Sequence, residues 1–204
     1  MNKTIALIGY SGYAYVVFDI FFSQGLIVSA YASKEAEKED PFMLSYLGYE
    51  QNPEVLEKLK DFNYFVCLPD NTLRQKTSEF LIQHIGNPEF ALHKSAIISR
   101  SMNAGIGVMI GPRAVVNAKA VIGAGTIINT GSIIEHTCTI GNYTHIGSGS
   151  TVGEQVTIGD RTWIGTGCAI APGISIGKDV VIPAGAVITK NISDHTKIAG
   201  TPAL

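Results

Sequence analysis

Apolar residues recur at a strict interval of six along the second half of the chain. Every sixth position is isoleucine or valine, with no slip in phase: Ile110, Val116, Ile122, Ile128, Ile134, Ile140, Ile146, Val152, Ile158, Ile164, Ile170, Ile176, Ile182 and Ile188. An α-helix repeats every 3.6 residues and a strand every two, so neither element explains the interval. A coil with three short faces of six residues explains it, because each face then points one aliphatic side chain inward. The pattern therefore predicts a solenoid of stacked parallel strands.

Two further positions of this repeat carry small residues. The residue directly after the aliphatic one is usually glycine, or asparagine in two repeats: Gly111, Asn117, Gly123, Asn129, Gly141, Gly147, Gly153, Gly159, Gly165 and Gly177. We expect these residues to adopt the turn conformation that β-branched residues resist. Small or β-branched residues prevail four positions after the aliphatic one, and we expect them, Cys138 and Cys168 included, to fit inside the corners of the coil.

The preceding part of the chain has a different pattern, in which strand-like and helix-like segments alternate. Strands are predicted for the apolar runs TIALIGY, LIVSAYA, YFVCL and FALH. Helices are predicted for SGYAYVVFDIFFSQ, PEVLEKLK and DNTLRQKTSEFLIQHI, the last with Asp70 or Asn71 as its N-cap. Such alternation is typical of a small parallel α/β domain. We therefore expect one domain over residues 1–92 and the solenoid over residues 93–204.

Composition and charge narrow the range of partners. The 204 residues carry a formal net charge of −2, which gives no electrostatic reason to expect nucleic acid or an anionic membrane as partner. The richest apolar run, VVFDIFF, is too short to span a bilayer. Three cysteines without a CxxC pair predict neither a disulfide framework nor a thiolate metal site, and no signal peptide is recognisable, so we expect a cytoplasmic protein. The charged stretch at residues 32–40 is interpreted as a solvated loop.

His136 is the strongest candidate for chemistry within the repeats. It lies two residues after the inward Ile134, so its ring should point outward near a corner. It shares the segment INTGSIIEHTC with Asn129 and Glu135, polar residues for which the coil has no structural need. An imidazole, with a reference pKa of about 6.5, can take a proton from an amine or a hydroxyl at neutral pH. For His145 alone, an ordinary surface position is the simpler interpretation.

Longer motifs resemble the NeuD/PglD-like family of sugar O- and N-acyltransferases over essentially the whole chain. These motifs are IGYSGYA, LPDNTLRQK, LHKSAIIS, VVNAKAVIGAGTIINTGSIIEHTCTIGNYTHIG and GTPA. The resemblance implies a Rossmann-like α/β domain that binds a nucleotide sugar, followed by a left-handed parallel β-helix. In appearance the chain is nearest to the N-acetyltransferases of bacillosamine biosynthesis, which act on a UDP-4-amino-sugar in bacterial glycan biosynthesis. O-acetylation of a sialic-acid-type sugar is the alternative within the family.

The resemblance also implies roles for individual residues of the β-helix. Acetyl-CoA would be the co-substrate, without a metal, and His136 would deprotonate the acceptor amine or hydroxyl. His145 would lie beside the thioester and the pantetheine arm. Backbone groups around Thr166 and Ala184 would line the CoA groove between the subunits of a homotrimer.

Several residues of this chain depart from the family pattern around His136 and in the nucleotide loop. The acid that commonly follows the histidine is Thr137 here, and Glu135 on the other side is the candidate substitute. Tyr13 replaces a histidine that usually follows the second glycine of the loop, and no acidic residue follows the second strand. A nucleotide site and a purely structural turn therefore both stay open for this loop.

The candidate substrate-binding residues are spread over both domains: Ser11, Gly12, Tyr13, Pro69 and Asn129. Arg74 is a candidate phosphate contact, although a solvated helix face is the simpler interpretation.

Two rival functions come from other classes of protein. A catalytically silent trimeric scaffold with the same fold is the first. A β-helix carbonic anhydrase is the second, and it is disfavoured because its metal needs three histidines from adjacent coils. His136 and His145 are nine positions apart, and the next histidine, His195, lies beyond the repeats.

Overall fold

The protein is described by a computed structural model over residues 3–199, which divides into two compact units. The first unit ends at Lys94 and the second begins at Ser95. The GTPA motif lies outside the described residues. The elements of the first unit are β1 (Ile5–Ile8), α1 (Gly12–Ser23), β2 (Val28–Ala32), β3 (Ser45–Tyr46), α2 (Pro53–Leu59), β4 (Asn63–Val66), α3 (Asn71–Ile85) and β5 (Ala91–Leu92).

The first unit is a Rossmann-like α/β domain whose parallel sheet has the strand order β3-β2-β1-β4. All four residues of β1 are buried, as expected for a central parallel strand. The predicted strands and helices are present, whereas β3 was not predicted, because its two residues are exposed and carry no hydrophobic signal. Of the two candidate N-caps of α3, it is the Asp70 side chain that accepts a hydrogen bond from the Leu73 backbone N–H, at 2.7 Å.

The second unit is a left-handed β-helix built of strands two residues long. These strands are β6 (Ile97–Ile98), β7 (Asn103–Ala104), β8 (Met109–Ile110), β9 (Val115–Val116), β10 (Val121–Ile122), β11 (Ile127–Ile128), β12 (Ile133–Ile134), β13 (Thr139–Ile140), β14 (His145–Ile146), β15 (Thr151–Val152), β16 (Thr157–Ile158), β17 (Trp163–Ile164), β18 (Ala169–Ile170), β19 (Ser175–Ile176), β20 (Val181–Ile182) and β21 (Val187–Ile188). Every third strand pairs in parallel, which produces the three walls β19-β16-β13-β10-β7, β20-β17-β14-β11-β8 and β21-β18-β15-β12-β9-β6.

The core of this unit is the ladder of aliphatic residues that the interval of six predicts. Successive coils pair in register, so that Ile128 lies against Ile146 and Ile146 against Ile164. All fourteen aliphatic residues of the repeat are buried, and the most exposed of them, Ile188, shows 6% of its surface. The predicted inward orientation is therefore confirmed.

The glycines after the aliphatic residues serve a purpose other than the predicted one. Positive φ angles occur two positions later, for example 68° at Gly149 and 59° at Thr137. A Cβ at Gly165 would instead lie 2.4 Å from the backbone nitrogen of Ala184 on the next coil. The prediction of a turn conformation at these positions is wrong, because they are glycine to let successive coils approach closely.

The small residues inside the corners link neighbouring coils. Thr126 Oγ1 donates a hydrogen bond to the carbonyl of Gly141 at 2.7 Å, and Ser132 Oγ donates to that of Gly147 at 2.9 Å. Cys138 and Cys168 occupy the same kind of position and are buried, as predicted. Burial raises the pKa of both thiols. These cysteines are therefore packing residues.

Candidate active site

His136 lies at an exposed corner of the β-helix, two residues after the end of β12. Thr137, its neighbour in the turn, has a φ of 59°, a backbone conformation that a β-branched residue rarely adopts. The Thr137 N–H donates to the carbonyl of Ala118 on the preceding coil at 2.9 Å, and the Gln155 N–H donates to the carbonyl of His136 at 3.2 Å. Hydrogen bonds from both neighbouring coils thus fix the backbone, while the His136 side chain stays 47% exposed. The predicted outward orientation is confirmed.

The imidazole of His136 has an acceptor beside each ring nitrogen. Its Nε2 lies 3.0 Å from Oε2 of Glu154, which occupies the equivalent corner of the next coil. Its Nδ1 lies 3.3 Å from Oγ1 of Thr137, whose hydroxyl donates its own hydrogen to the His136 carbonyl at 2.7 Å. A protonated ring can donate from both nitrogens. Each ring nitrogen of His136 therefore faces an oxygen atom to which it can donate a hydrogen bond.

Glu135, the predicted substitute for the missing acid, is directed elsewhere. Its Oε2 accepts a hydrogen bond from Nδ2 of Asn117 at 2.9 Å. The carboxylate next to His136 is that of Glu154, which sequence reasoning did not connect with the histidine because it is eighteen positions away. The signal that could have found it is the coil itself, because residues one full turn apart stack at the same corner.

His145 lies on another wall of the β-helix, in β14. It is 5% exposed, and its ring stacks on that of Trp163 in β17 with centroids 4.1 Å apart. The interpretation of His145 as an ordinary surface residue is wrong, because the large indole on the next coil covers it. The corner that follows this wall carries Thr166 and Ala184 on successive coils, joined by the hydrogen bond from the Gly185 N–H to the Thr166 carbonyl at 2.8 Å.

The polar residues of the segment INTGSIIEHTC do not form one cluster. Asn129 precedes β12, and its Oδ1 accepts a hydrogen bond from the Thr130 N–H at 2.7 Å. Glu135 and His136 follow the same strand, at the opposite end of that face. The length of one face therefore separates Asn129 from His136, although both lie on the same coil. Asn129 stays a candidate substrate-binding residue at its own corner.

The first unit contains a cleft of about 290 Å³ at the carboxyl ends of β1 and β2. In open α/β sheets this edge is the usual position of a ligand. Ser11 lines the cleft together with Lys34, Tyr49 and Glu50, three residues that sequence reasoning did not single out. Lys34 belongs to the charged stretch at residues 32–40, most of which is exposed as predicted.

The other candidate residues of this domain have different surroundings. Gly12 begins α1 and is exposed, Pro69 is exposed ahead of α3, and Tyr13 is partly buried in the first turn of α1. Burial raises the pKa of the Tyr13 phenol above its ordinary value.

Arg74 is buried and does not form the solvated helix face that was expected. It shows 1% of its surface. Its Nη1 donates to the carbonyls of Leu68 at 2.9 Å and Pro69 at 3.0 Å, and its Nη2 donates to Oδ1 of Asn71 at 2.8 Å. The expectation failed because the partners of this guanidinium are mainly backbone carbonyls, which leave no trace in the sequence. Arg74 holds the segment that leads from β4 into α3.

Within residues 3–199, no group of three or more His, Cys, Asp or Glu side chains is arranged to hold a metal ion. No helix in the same range is both long enough and apolar enough to cross a membrane.

Comparison with known families assigns both parts of the chain. Residues 4–81 match the PglD N-terminal domain, and residues 119–154 and 155–190 match the bacterial transferase hexapeptide (six repeats) family. No curated protein matches the sequence.

Solved structures of acetyltransferases share the whole fold. A histidine-to-asparagine variant of perosamine N-acetyltransferase from Caulobacter crescentus, in complex with CoA and GDP-perosamine, is 30% identical with a TM-score of 0.91, over 98% of this chain and 95% of that chain. The acetyltransferase domain of PglB from Neisseria gonorrhoeae FA1090, in complex with acetyl coenzyme A, is 26% identical with a TM-score of 0.92, over 100% and 99%. The chain belongs to the PglD/NeuD-like family of sugar acyltransferases and is an acetyltransferase.

Proposed function

We propose that the protein transfers the acetyl group of acetyl-CoA to the amine of a nucleotide-linked amino sugar, with His136 as the general base. The observation that carries this proposal is the exposed imidazole of His136 with the Glu154 carboxylate 3.0 Å from its Nε2. The related structures that hold CoA and GDP-perosamine support a sugar nucleotide as the acceptor. The finer proposal is a UDP-4-amino-sugar of the bacillosamine type, used in bacterial glycan biosynthesis.

The reaction needs no acyl-enzyme. The neutral amine of the sugar attacks the thioester carbonyl, and His136 takes a proton from the nitrogen as the C–N bond forms. The C–S bond then breaks, and the CoA sulfur leaves as a thiolate that is protonated by the imidazolium. The products are the amide and free CoA. The negative charge of Glu154 stabilises the imidazolium between the two proton transfers.

The remaining candidate residues are proposed to bind the two substrates. His145, Thr166 and Ala184 share one wall and the corner that follows it, which supports a role along the CoA chain. Ser11 lines the cleft of the first unit, and Gly12, Tyr13 and Pro69 follow the strands beside it, which supports a role toward the sugar nucleotide. Asn129 is proposed separately as a substrate contact at its own corner of the β-helix.

A homotrimer is part of the proposal, because the family resemblance places the CoA groove between neighbouring β-helices. We expect light scattering to give about three times the chain mass of 21.7 kDa at micromolar concentration. A stable monomer with full activity would contradict a groove that is shared between subunits.

The acceptor is tested by incubating the protein with acetyl-CoA and a panel of sugars and by measuring the free thiol of released CoA. We expect the fastest release with UDP-linked 4-amino sugars. Preference for GDP-perosamine would overturn the assignment of the nucleotide. Acetylation of a hydroxyl on a sialic-acid-type sugar alone would establish the O-acetyltransferase alternative. No thiol release with any acceptor would favour the non-catalytic scaffold.

A further inference from the structure

Glu50 is a buried carboxylate in the wall of the cleft of the first unit. It shows 6% of its surface, and it lines the cleft together with Ser11 and Lys34. It lies in the turn between β3 and α2. This turn lies outside the glycine-containing loop for which a nucleotide site was considered, and it has no role in the proposed acetyl transfer.

No other residue between positions 3 and 199 forms a hydrogen bond or an ion pair with the Glu50 carboxylate. Burial raises its pKa, against the opposing effects of its own backbone N–H and of the Lys34 charge. Its own backbone N–H is thus the one donor that residues 3–199 supply to a carboxylate that can accept several hydrogen bonds. Its position in a cleft wall points to a ligand as the source of the further donors.

The pairing of β3 with β2 brings Glu50 to the ligand-binding edge of the sheet. The Ser33 N–H donates to the Gly48 carbonyl at 3.0 Å, which sets the turn that carries Glu50 alongside the end of β2. In dinucleotide-binding folds, a carboxylate near this point accepts hydrogen bonds from ribose hydroxyls. Here β2 is followed by Ser33 and Lys34, so Glu50 supplies the carboxylate that the strand end lacks.

A cation lies near this carboxylate. Lys34 lines the same cleft, and its Nζ is 5.9 Å from the centroid of the Tyr49 ring. The cleft therefore combines an ammonium group, which attracts phosphate, with a carboxylate, which attracts neutral N–H or O–H donors. A sugar nucleotide carries both kinds of group.

We propose that Glu50 binds the nucleoside of the sugar nucleotide by accepting hydrogen bonds from two adjacent donors, while Lys34 faces the diphosphate. The assignment rests on the proposed function, since it takes a sugar nucleotide as the occupant of the cleft. Two donor pairs match the two carboxylate oxygens. One is the vicinal pair of ribose hydroxyls, and the other is the N1–H and 2-amino group of guanine.

The test is calorimetric titration of UDP, GDP and IDP into the wild type and the Glu50→Gln variant, without acetyl-CoA. We expect Glu50→Gln to bind at least one of these nucleotides about tenfold more weakly, because hydrogen bonds to an ionised group are strong. Glu54→Gln is the matched control, since Glu54 is exposed in the first turn of α2 and its replacement removes the same charge. Glu50→Asp keeps the charge but shortens its reach, and it should also weaken binding.

The pattern of affinity losses among the three nucleotides identifies the group that Glu50 binds. Equal losses for UDP and GDP assign the ribose hydroxyls, and a loss for GDP that exceeds those for UDP and IDP assigns guanine. Unchanged affinities in Glu50→Gln, a change shared by inorganic pyrophosphate, or a wild type that binds none of the three nucleotides would overturn the proposal. Because the titration needs no acetyl transfer, a failure of the proposed reaction is measured separately.

Discussion

Replacement of His136 by asparagine is expected to lower kcat for acetyl transfer by about 10²- to 10⁴-fold. Asparagine keeps a polar group at the corner but cannot accept a proton from the attacking amine. The backbone at this corner is fixed by hydrogen bonds to both neighbouring coils, so the fold should survive the change. Steady-state kinetics with the free-thiol readout, at saturating acetyl-CoA, would measure the loss.

Two glutamates beside His136 provide graded controls for this prediction. Glu154→Gln removes the charge that faces the imidazole, and we expect a smaller loss of about tenfold, because the pair is half exposed and solvent screens it. Glu135→Gln removes a carboxylate that accepts a hydrogen bond from Asn117 instead, and we expect it to lower kcat by less than Glu154→Gln does. Undiminished kcat in the asparagine variant would exclude His136 as the base. A larger loss in Glu135→Gln would restore Glu135 as the assisting acid.

The β-helix could be predicted from the sequence because its repeat spans only six residues. Each inward position meets the same surroundings on every coil, so one residue type recurs at one interval and the ladder of isoleucines is visible directly. The neighbours of a given side chain at a corner are less visible, because they lie a full turn away. The contact between Glu154 and His136 was missed for this reason, although the two residues are related by the same full turn that places Val152 against Ile134.

The first unit was predictable in its elements but not in its site. Alternating strands and helices have strong local patterns, whereas the two-residue strand β3 has none. That strand brings Glu50 to the cleft, so the position of this carboxylate depends on the pairing of β3 with β2, which no sequence pattern predicts. The burial of Arg74 was missed for a related reason, since it bonds backbone carbonyls that every residue possesses.

Ile140→Ala is expected to lower the free energy of unfolding by about 2–5 kcal/mol, the cost of a cavity in a packed core. Ile140 is 1% exposed, and β13 pairs with strands on both sides, where Ile122 and Ile158 occupy the same position. Urea unfolding followed by far-ultraviolet circular dichroism, at a fixed protein concentration, would measure the change. Thr139→Ala on the exposed side of the same strand should stay within about 0.5 kcal/mol.

The position of an isoleucine along the solenoid should decide how much its loss costs. In repeat structures each coil is stabilised mainly by its neighbours, so a central position has two interfaces to lose and a terminal one has a single interface. Ile188 lies in β21, at the edge of its wall. We therefore expect Ile188→Ala to lower the free energy of unfolding by less than Ile140→Ala does. Equal losses of unfolding free energy at the two positions would show that each isoleucine contributes independently, without coupling between coils.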